Sequence, residues 1–163
     1  MPAVSDTSPI LGLAAIGYLE LLREQFGAVL IPAAVLAELK LESGFRGAAP
    51  IQQALEDGWL QMQDVQNVSL VQALSIDLDP GEAEALALAV DLNLEIIVMD
   101  EQAGRAHARA MGLRPVGVLG ILLRAKKAGH IDSLETTMQA LRKEIGFFIT
   151  DDLYRQILRQ AGE

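Results

Sequence analysis

A chain of 163 residues that is 51% hydrophobic and free of cysteine can bury one real core, and it has no disulfide framework, zinc-thiolate site or thiol nucleophile. With 22 acidic against 13 basic side chains, a net charge of −9 and only 4% aromatics, it does not suit a passive phosphate-binding surface or a set of base-stacking platforms, so work on nucleic acid would have to be metal-dependent. No apolar run reaches membrane-spanning length and no basic-then-apolar leader opens the chain, which gives the expectation of a cytoplasmic protein.

In chain order, Ala3 to Ser5 reads as a short strand running into Asp6. Leu11 to Glu24 has helical periodicity, with Leu11, Ala15, Leu19 and Leu22 on one face. Ala28 to Ile31 is a buried strand ended by Pro32, and Ala33 to Leu41 is a helix. Pro50 to Asp57 is a helix stopped at Gly58, Leu60 to Val65 a strand, and Leu70 to Ser75 a short helix. Asp79-Pro80-Gly81-Glu82 opens the strongest helix, which runs to about Leu92. Glu95 to Met99 is the best buried strand, with Ile96, Ile97 and Val98 consecutive as in a sheet covered on both faces. Gln102 to Met111 is a helix, Pro115 to Val118 a strand, and Leu119 to Ala128 a basic amphipathic helix. Asp132 to Glu144 and Asp151 to Gln160 close the chain as helices, with Phe147 to Ile149 extended between them. The alternation predicts parallel βαβ units. Residues 1–130 form the α/β domain, and 131–163 a helical extension packed on it or on a second subunit, anchored by Phe147 and Phe148.

Ligands of open parallel sheets sit beyond the carboxyl ends of the strands, and Asp6 and Asp100 fall there. A carboxylate at a buried strand tip is poorly solvated and needs a partner, for which a metal ion would serve. Both acids also read as helix caps, with Glu101 in the first turn after Asp100. Asp79-x-x-Glu82 with Pro80 between matches a capping box. Glu84 is two positions on, so it points about 200° round the helix from Glu82. Glu38 stands in an otherwise apolar helix, where a solvated face is the ordinary fate of a glutamate. His107 and His130 sit in polar helical or turn contexts and read as solvated.

The run Val4-Ser5-Asp6-Thr7-Ser8-Pro9-Ile10 resembles the opening of PIN-domain proteins, in which Asp-Thr-Ser ends the first strand. Phe26 to Pro32 followed by Val35-Leu36-Ala37-Glu38-Leu39 resembles the family's strand-Pro-helix segment that delivers a second acid. Gly81-Glu82-Ala83-Glu84-Ala85-Leu86-Ala87-Leu88-Ala89 resembles its alanine-rich helix opening with a third, and Ile96-Ile97-Val98-Met99-Asp100 its strand ending in a fourth. Asp100 follows eighteen residues after Glu82, a spacing that suits this helix-loop-strand unit. The likeness is to a toxin-type, poorly characterised prokaryotic branch, in which the Val118 to Lys127 helix is also typical. Three departures stand out: Val98 where common PIN toxins have Thr or Ser, Glu101-Gln102-Ala103 after the fourth acid, and Glu as the third acid.

The resemblance implies a three-layer α/β/α fold with a central, mainly parallel sheet. It implies that Asp6, Glu38, Glu82 and Asp100 meet as catalytic ligands of Mg²⁺ or Mn²⁺, with Thr7, Ser8 and Glu101 orienting them. It implies a metal-dependent ribonuclease, homodimeric, in some members the toxin held by a small antitoxin. Arg124, Lys126 and Lys127 are the candidate strip for the RNA backbone; the same cations suit a helix C-terminus. The alternative is a catalytically inactive PIN-like scaffold that binds RNA or protein.

Overall fold

A computed structural model describes residues 1–163. The strands are β1 (Ala3–Ser5), β2 (Val29–Ile31), β3 (Leu60–Met62), β4 (Ile96–Val98) and β5 (Arg114–Val116). The first helices are α1 (Thr7–Ala15), α2 (Glu20–Phe26), α3 (Ala33–Leu39), α4 (Ala48–Asp57) and α5 (Val68–Leu74). They are followed by α6 (Pro80–Asp91), α7 (Gln102–Ala110), α8 (Val118–Lys127), α9 (Leu134–Ile145) and α10 (Asp151–Gln160), and a single 3-10 turn, Leu41–Ser43, follows α3.

The strands form one fully parallel sheet in the order β3-β2-β1-β4-β5. Val4 in the central strand stands opposite Leu30 on one side and Ile97 on the other. The chain builds outward from β1 in both directions, so the topological switch lies between β1 and β4, where such sheets place their ligands. Side chains alternate across the sheet. Ala3, Val29, Ile31, Ile96 and Val98 join one apolar cluster with residues such as Leu13, Leu22, Ile51, Ile121 and Met138. Val4, Ile97 and Met99 join a second with Leu74 of α5, Leu86 of α6 and Ala108 of α7. Two helical layers thus cover both faces, which is the three-layer α/β/α arrangement expected. Leu134, Leu141, Ile149 and Ile157 lie in the first cluster, so α9 and α10 pack on the same domain.

The single helix expected over Leu11 to Glu24 is two helices. α1 starts earlier, directly after Asp6, and stops in a Schellman motif: Tyr18 N donates to Leu13 O at 2.8 Å and Gly17 N to Ala14 O at 3.2 Å. Gly17 has φ +81°, a left-handed conformation that costs glycine little. The apolar rhythm carries on across this break, so periodicity alone runs the two helices together. The strand at Leu60 stops at Met62, and Phe147 to Ile149 joins no sheet. Phe147 packs against the core, but Phe148 is 84% exposed and anchors nothing within the chain.

β4 and α7 meet where Gly104 faces Met99. A methyl group at Gly104 would lie 2.3 Å from the buried Met99 Sδ. Gly104→Ala should therefore destabilise the chain by about 1–2 kcal/mol by overpacking, more than the helix propensity of alanine returns. A lower urea midpoint with an unchanged slope would show it; an unchanged midpoint would mean that the seam is slack.

Candidate metal centre

β1 carries the chain to Asp6. Its amide donates to Val98 O at 2.9 Å, which extends the pairing with β4 by one residue. Asp6 occupies the N-cap position of α1 with extended backbone (φ −79°, ψ 175°), but its side chain makes no cap bond. The carboxylate is only 4% exposed. A buried acid spared from capping is an unusual use of an aspartate.

Glu38 reaches in from the last turn of α3. Its Oε2 accepts from Thr7 Oγ1 at 2.5 Å and its Oε1 from the Gly81 amide at 3.1 Å. It thereby ties together the first turns of α1 and α6. Gly81 makes this approach possible: a Cβ there would stand 2.4 Å from Glu38 Oε2 and 2.9 Å from its Cδ. Asp79 and Glu82 form the capping box that their spacing indicates. Asp79 Oδ1 accepts from the Glu82 amide at 2.8 Å, and Glu82 Oε2 accepts from the Asp79 amide at 3.1 Å.

Carboxylate oxygens of Asp6, Glu38 and Asp79 all lie within 4.8 Å of one another. The group runs from buried Asp6 through half-buried Glu38 to exposed Asp79. No lysine, arginine or histidine forms an ion pair with any of them. Burial pushes the Asp6 carboxyl up to about 7; the nearby Thr7 amide opposes this, while the charges of Asp79, Glu82 and Glu38 add to it. Burial also raises Glu82, against the pull of the Asp79 amide and with help from Asp79, Glu101 and Glu38.

Asp100 follows β4 at the same end of the sheet, but its side chain turns toward α8. Its Oδ1 accepts from the Val118 amide at 3.0 Å, while Oδ2 is buried with no hydrogen-bond partner. Burial raises its carboxyl above the usual range, opposed by the Val118 amide and by Arg105. Of the four expected ligands, then, Asp6 and Glu38 converge directly. Glu82 is held in the capping box with Asp79, its charge acting on Asp6, and Asp100 occupies the neighbouring strand end.

The remaining candidates separate by position. Thr7 holds Glu38, Ser8 is exposed, and exposed Glu101 precedes α7 between the charges of Glu82 and Asp100. On α8, Arg124 and Lys127 are exposed, whereas Lys126 pairs with Glu163 at 3.4 Å and donates to the Asp132 carbonyl. His107 and His130 lie against Asp77 and Glu24, at 3.4 and 2.9 Å. Glu84 Oε1 accepts from the Ala34 amide at 3.3 Å, away from Glu82 as its helical position requires.

Three residues of the centre escaped the sequence reading. Asp79 was legible only as a cap. Gly81 carries no local signal, because its constraint comes from Glu38. Arg105, whose Nη1 donates to Met99 O at 2.9 Å, is brought over the end of β4 by the first turns of α7.

The donor set consists wholly of carboxylate oxygen, which suits a hard divalent cation such as Mg²⁺ or Mn²⁺. A cation would offset the mutual repulsion and the burial penalty at Asp6, and the partnerless Asp100 Oδ2 is a further oxygen of the right kind. The residues present fit such an ion. A family model described as a PIN domain (DUF3368) matches residues 2–163, so it takes in α9 and α10 as well as the sheet. No curated protein and no solved structure matches the chain. A parallel sheet with an acidic cluster at its switch point, together with a match over nearly the whole chain, makes this protein a member of the PIN-domain family, with that family's nuclease fold.

Proposed function

We propose that the chain is a ribonuclease dependent on Mg²⁺ or Mn²⁺. The observation that carries this reading is the convergence of Asp6, Glu38 and Asp79 at the switch point, with no cationic side chain to balance them. These three would hold the ion, with Glu82 and Asp100 as the further acids of the centre. When bound, such an ion screens phosphate charge and makes water a nucleophile at neutral pH.

The protein's own part is placement and proton handling. Thr7 and the Gly81 amide fix both oxygens of Glu38, so that carboxylate presents itself without rotamer search. The capping box fixes Asp79 in the same way. With no histidine in the cluster, proton transfer falls to carboxylates or to water.

The test is a panel of single-stranded and structured RNAs, with and without Mn²⁺, beside Asp6→Asn. Cleavage should require the metal and fall about a hundredfold or more in the variant, since even the partners of metal ligands cost 10–100-fold when lost. Metal-independent cleavage that survives Asp6→Asn would overturn the reading. Absence of cleavage by either protein would favour an RNA- or protein-binding scaffold.

A further inference from the structure

α10 is fixed at its two ends and only sparingly between them. Where α9 ends at Gly146, with φ +64°, the chain runs through Phe147 to Ile149 without joining the sheet. Arg142 of α9 holds this near end. Its Nη2 donates to Ile149 O at 2.7 Å, and its guanidinium lies over the Tyr154 ring, 4.3 Å from the centroid. Within α10, Ile157 is the one buried side chain, and Tyr154 and Leu158 are partly covered.

The far end is closed by one carboxylate. α10 stops in a Schellman motif, with Gly162 N donating to Arg159 O at 3.1 Å and Glu163 N to Leu158 O at 2.8 Å, which fixes the direction in which Glu163 leaves. Its side chain crosses to the start of α9 and accepts from the Leu134 amide at 2.7 Å and the Glu135 amide at 3.3 Å. Ser133 Oγ stands 3.5 Å from it, and Lys126 Nζ of α8 3.4 Å. An anion on the first amides of a helix and beside a lysine is favoured on both counts. Lys126 in turn donates to the Asp132 carbonyl, so α8, α9 and α10 meet at this one side chain.

α10 also walls a cleft of about 530 Å³. Phe147, Phe148, Leu153 and Ile157 line it from the segment 147–157. β5 and α8 supply the other side, and Asp100 and Arg105 are among its lining. A wall that buries one side chain opens more easily than the strands behind it, because little apolar surface is exposed when it lifts.

We infer that α10 is a hinged strap, with its pivot at Arg142 and the connector 146–149 and its latch at Glu163, whose opening turns the cleft beside Asp100 from a slot into an open face. The strap governs access to the cleft independently of the chemistry at the acidic centre.

The experiment follows hydrogen exchange by mass spectrometry on the full chain, comparing peptides of α10 with those of β1 and β4, in the parent and in Glu163→Ala. The chain has no cysteine, so Ile157→Cys places a single thiol on the covered side of the strap, at a position that is 8% exposed in the parent. Its rate of reaction with an aromatic disulfide reads the lifting of the strap, with and without Glu163→Ala. Amides of α10 should exchange at least about a hundredfold faster than those of β1 and β4, after correction for sequence. Glu163→Ala should speed both α10 exchange and thiol reaction about tenfold, as loss of hydrogen bonds to a charged group requires, and leave β1 and β4 unchanged. Exchange of α10 as slow as that of β1 and β4 would show that it opens only with the whole domain, and the strap would fail. Fast exchange that Glu163→Ala does not alter would remove the latch from Glu163. Faster exchange in β1 and β4 as well would make Glu163 a brace of the whole fold and overturn the latch. Faster exchange with an unchanged thiol rate would mean that α10 frays in place without lifting from the cleft, which also overturns the strap.

Discussion

In metal-free buffer at pH 8, Asp6→Asn should melt several degrees above the parent chain. Asp6 titrates near 3.8 in an unfolded chain and at about 7 in the fold. Between those values the native state holds a proton that the unfolded state has released. Stability therefore falls as pH rises from about 4 to about 7, and it levels off above that. A shift of roughly three units corresponds to about 4 kcal/mol at full ionisation, at 1.36 kcal/mol per unit. Asparagine keeps the shape of the side chain and removes the charge, so most of this loss should disappear. At about 2–4 °C per kcal/mol for a chain of this size, the gain at pH 8 approaches 10 °C. A slope remains in the variant, because burial also raises Glu82 and Asp100. Adding Mn²⁺ should raise the melting temperature of the parent and leave that of the variant nearly unmoved, since a ligand stabilises only the state that binds it. Parent and variant melting together across pH 4 to 8 would show that Asp6 is not a strained, unpaired carboxylate, and the case for a cation at that point would fail.

That trade of stability for function explains which parts of the molecule were legible in advance. Ile96-Ile97-Val98 and Val29-Leu30-Ile31 announce buried strands, because a strand covered on both faces has no polar position to spare. Asp79-Pro80-Gly81-Glu82 announces its helix through rules that act over three residues, and the bonds it predicts are present. The centre is harder to read, because it is assembled across the sheet. Helical rotation sets Glu82 and Glu84 on different sides of α6, and Glu84 accepts from the Ala34 amide. Rotation does not reveal that the exposed cap, Asp79, stands nearer Asp6 and Glu38, because that depends on how α6 docks against α1 and α3. The same limit applies to Lys126: on the sequence it is one of three equivalent cations, and only the return of Glu163 to α8 and α9 takes it out of the strip. The break at Gly17 fails for a different reason, since a glycine within an unbroken apolar rhythm does not declare whether it is used for its left-handed conformation.

Gly81→Ala should leave the chain as stable as the parent, or slightly more so, and yet impair the metal centre. Gly81 lies near the start of α6 with ordinary helical backbone, where alanine is favoured by up to about 1 kcal/mol. The three atoms nearest the added methyl all belong to the Glu38 carboxylate, at 2.4 to 2.9 Å. That carboxylate is the far end of a flexible side chain on a half-buried residue, so it can swing aside at little cost to the fold. In doing so it gives up the Gly81 amide and the Thr7 hydroxyl, the two contacts that hold it beside Asp6 and Asp79. Displacing a positioned ligand in this way costs about 10–100-fold in metal affinity. Titrating Mn²⁺ by calorimetry, with a thermal melt of the same sample, reads both quantities. Weakened binding at unchanged melting temperature would mean that glycine at position 81 serves the Glu38 carboxylate and not the helix. Unchanged binding would remove Glu38 from the ligands and leave its two hydrogen bonds as a brace between α1, α3 and α6. A large drop in melting temperature with no change in binding would mean that the methyl group displaces the helix instead of the side chain.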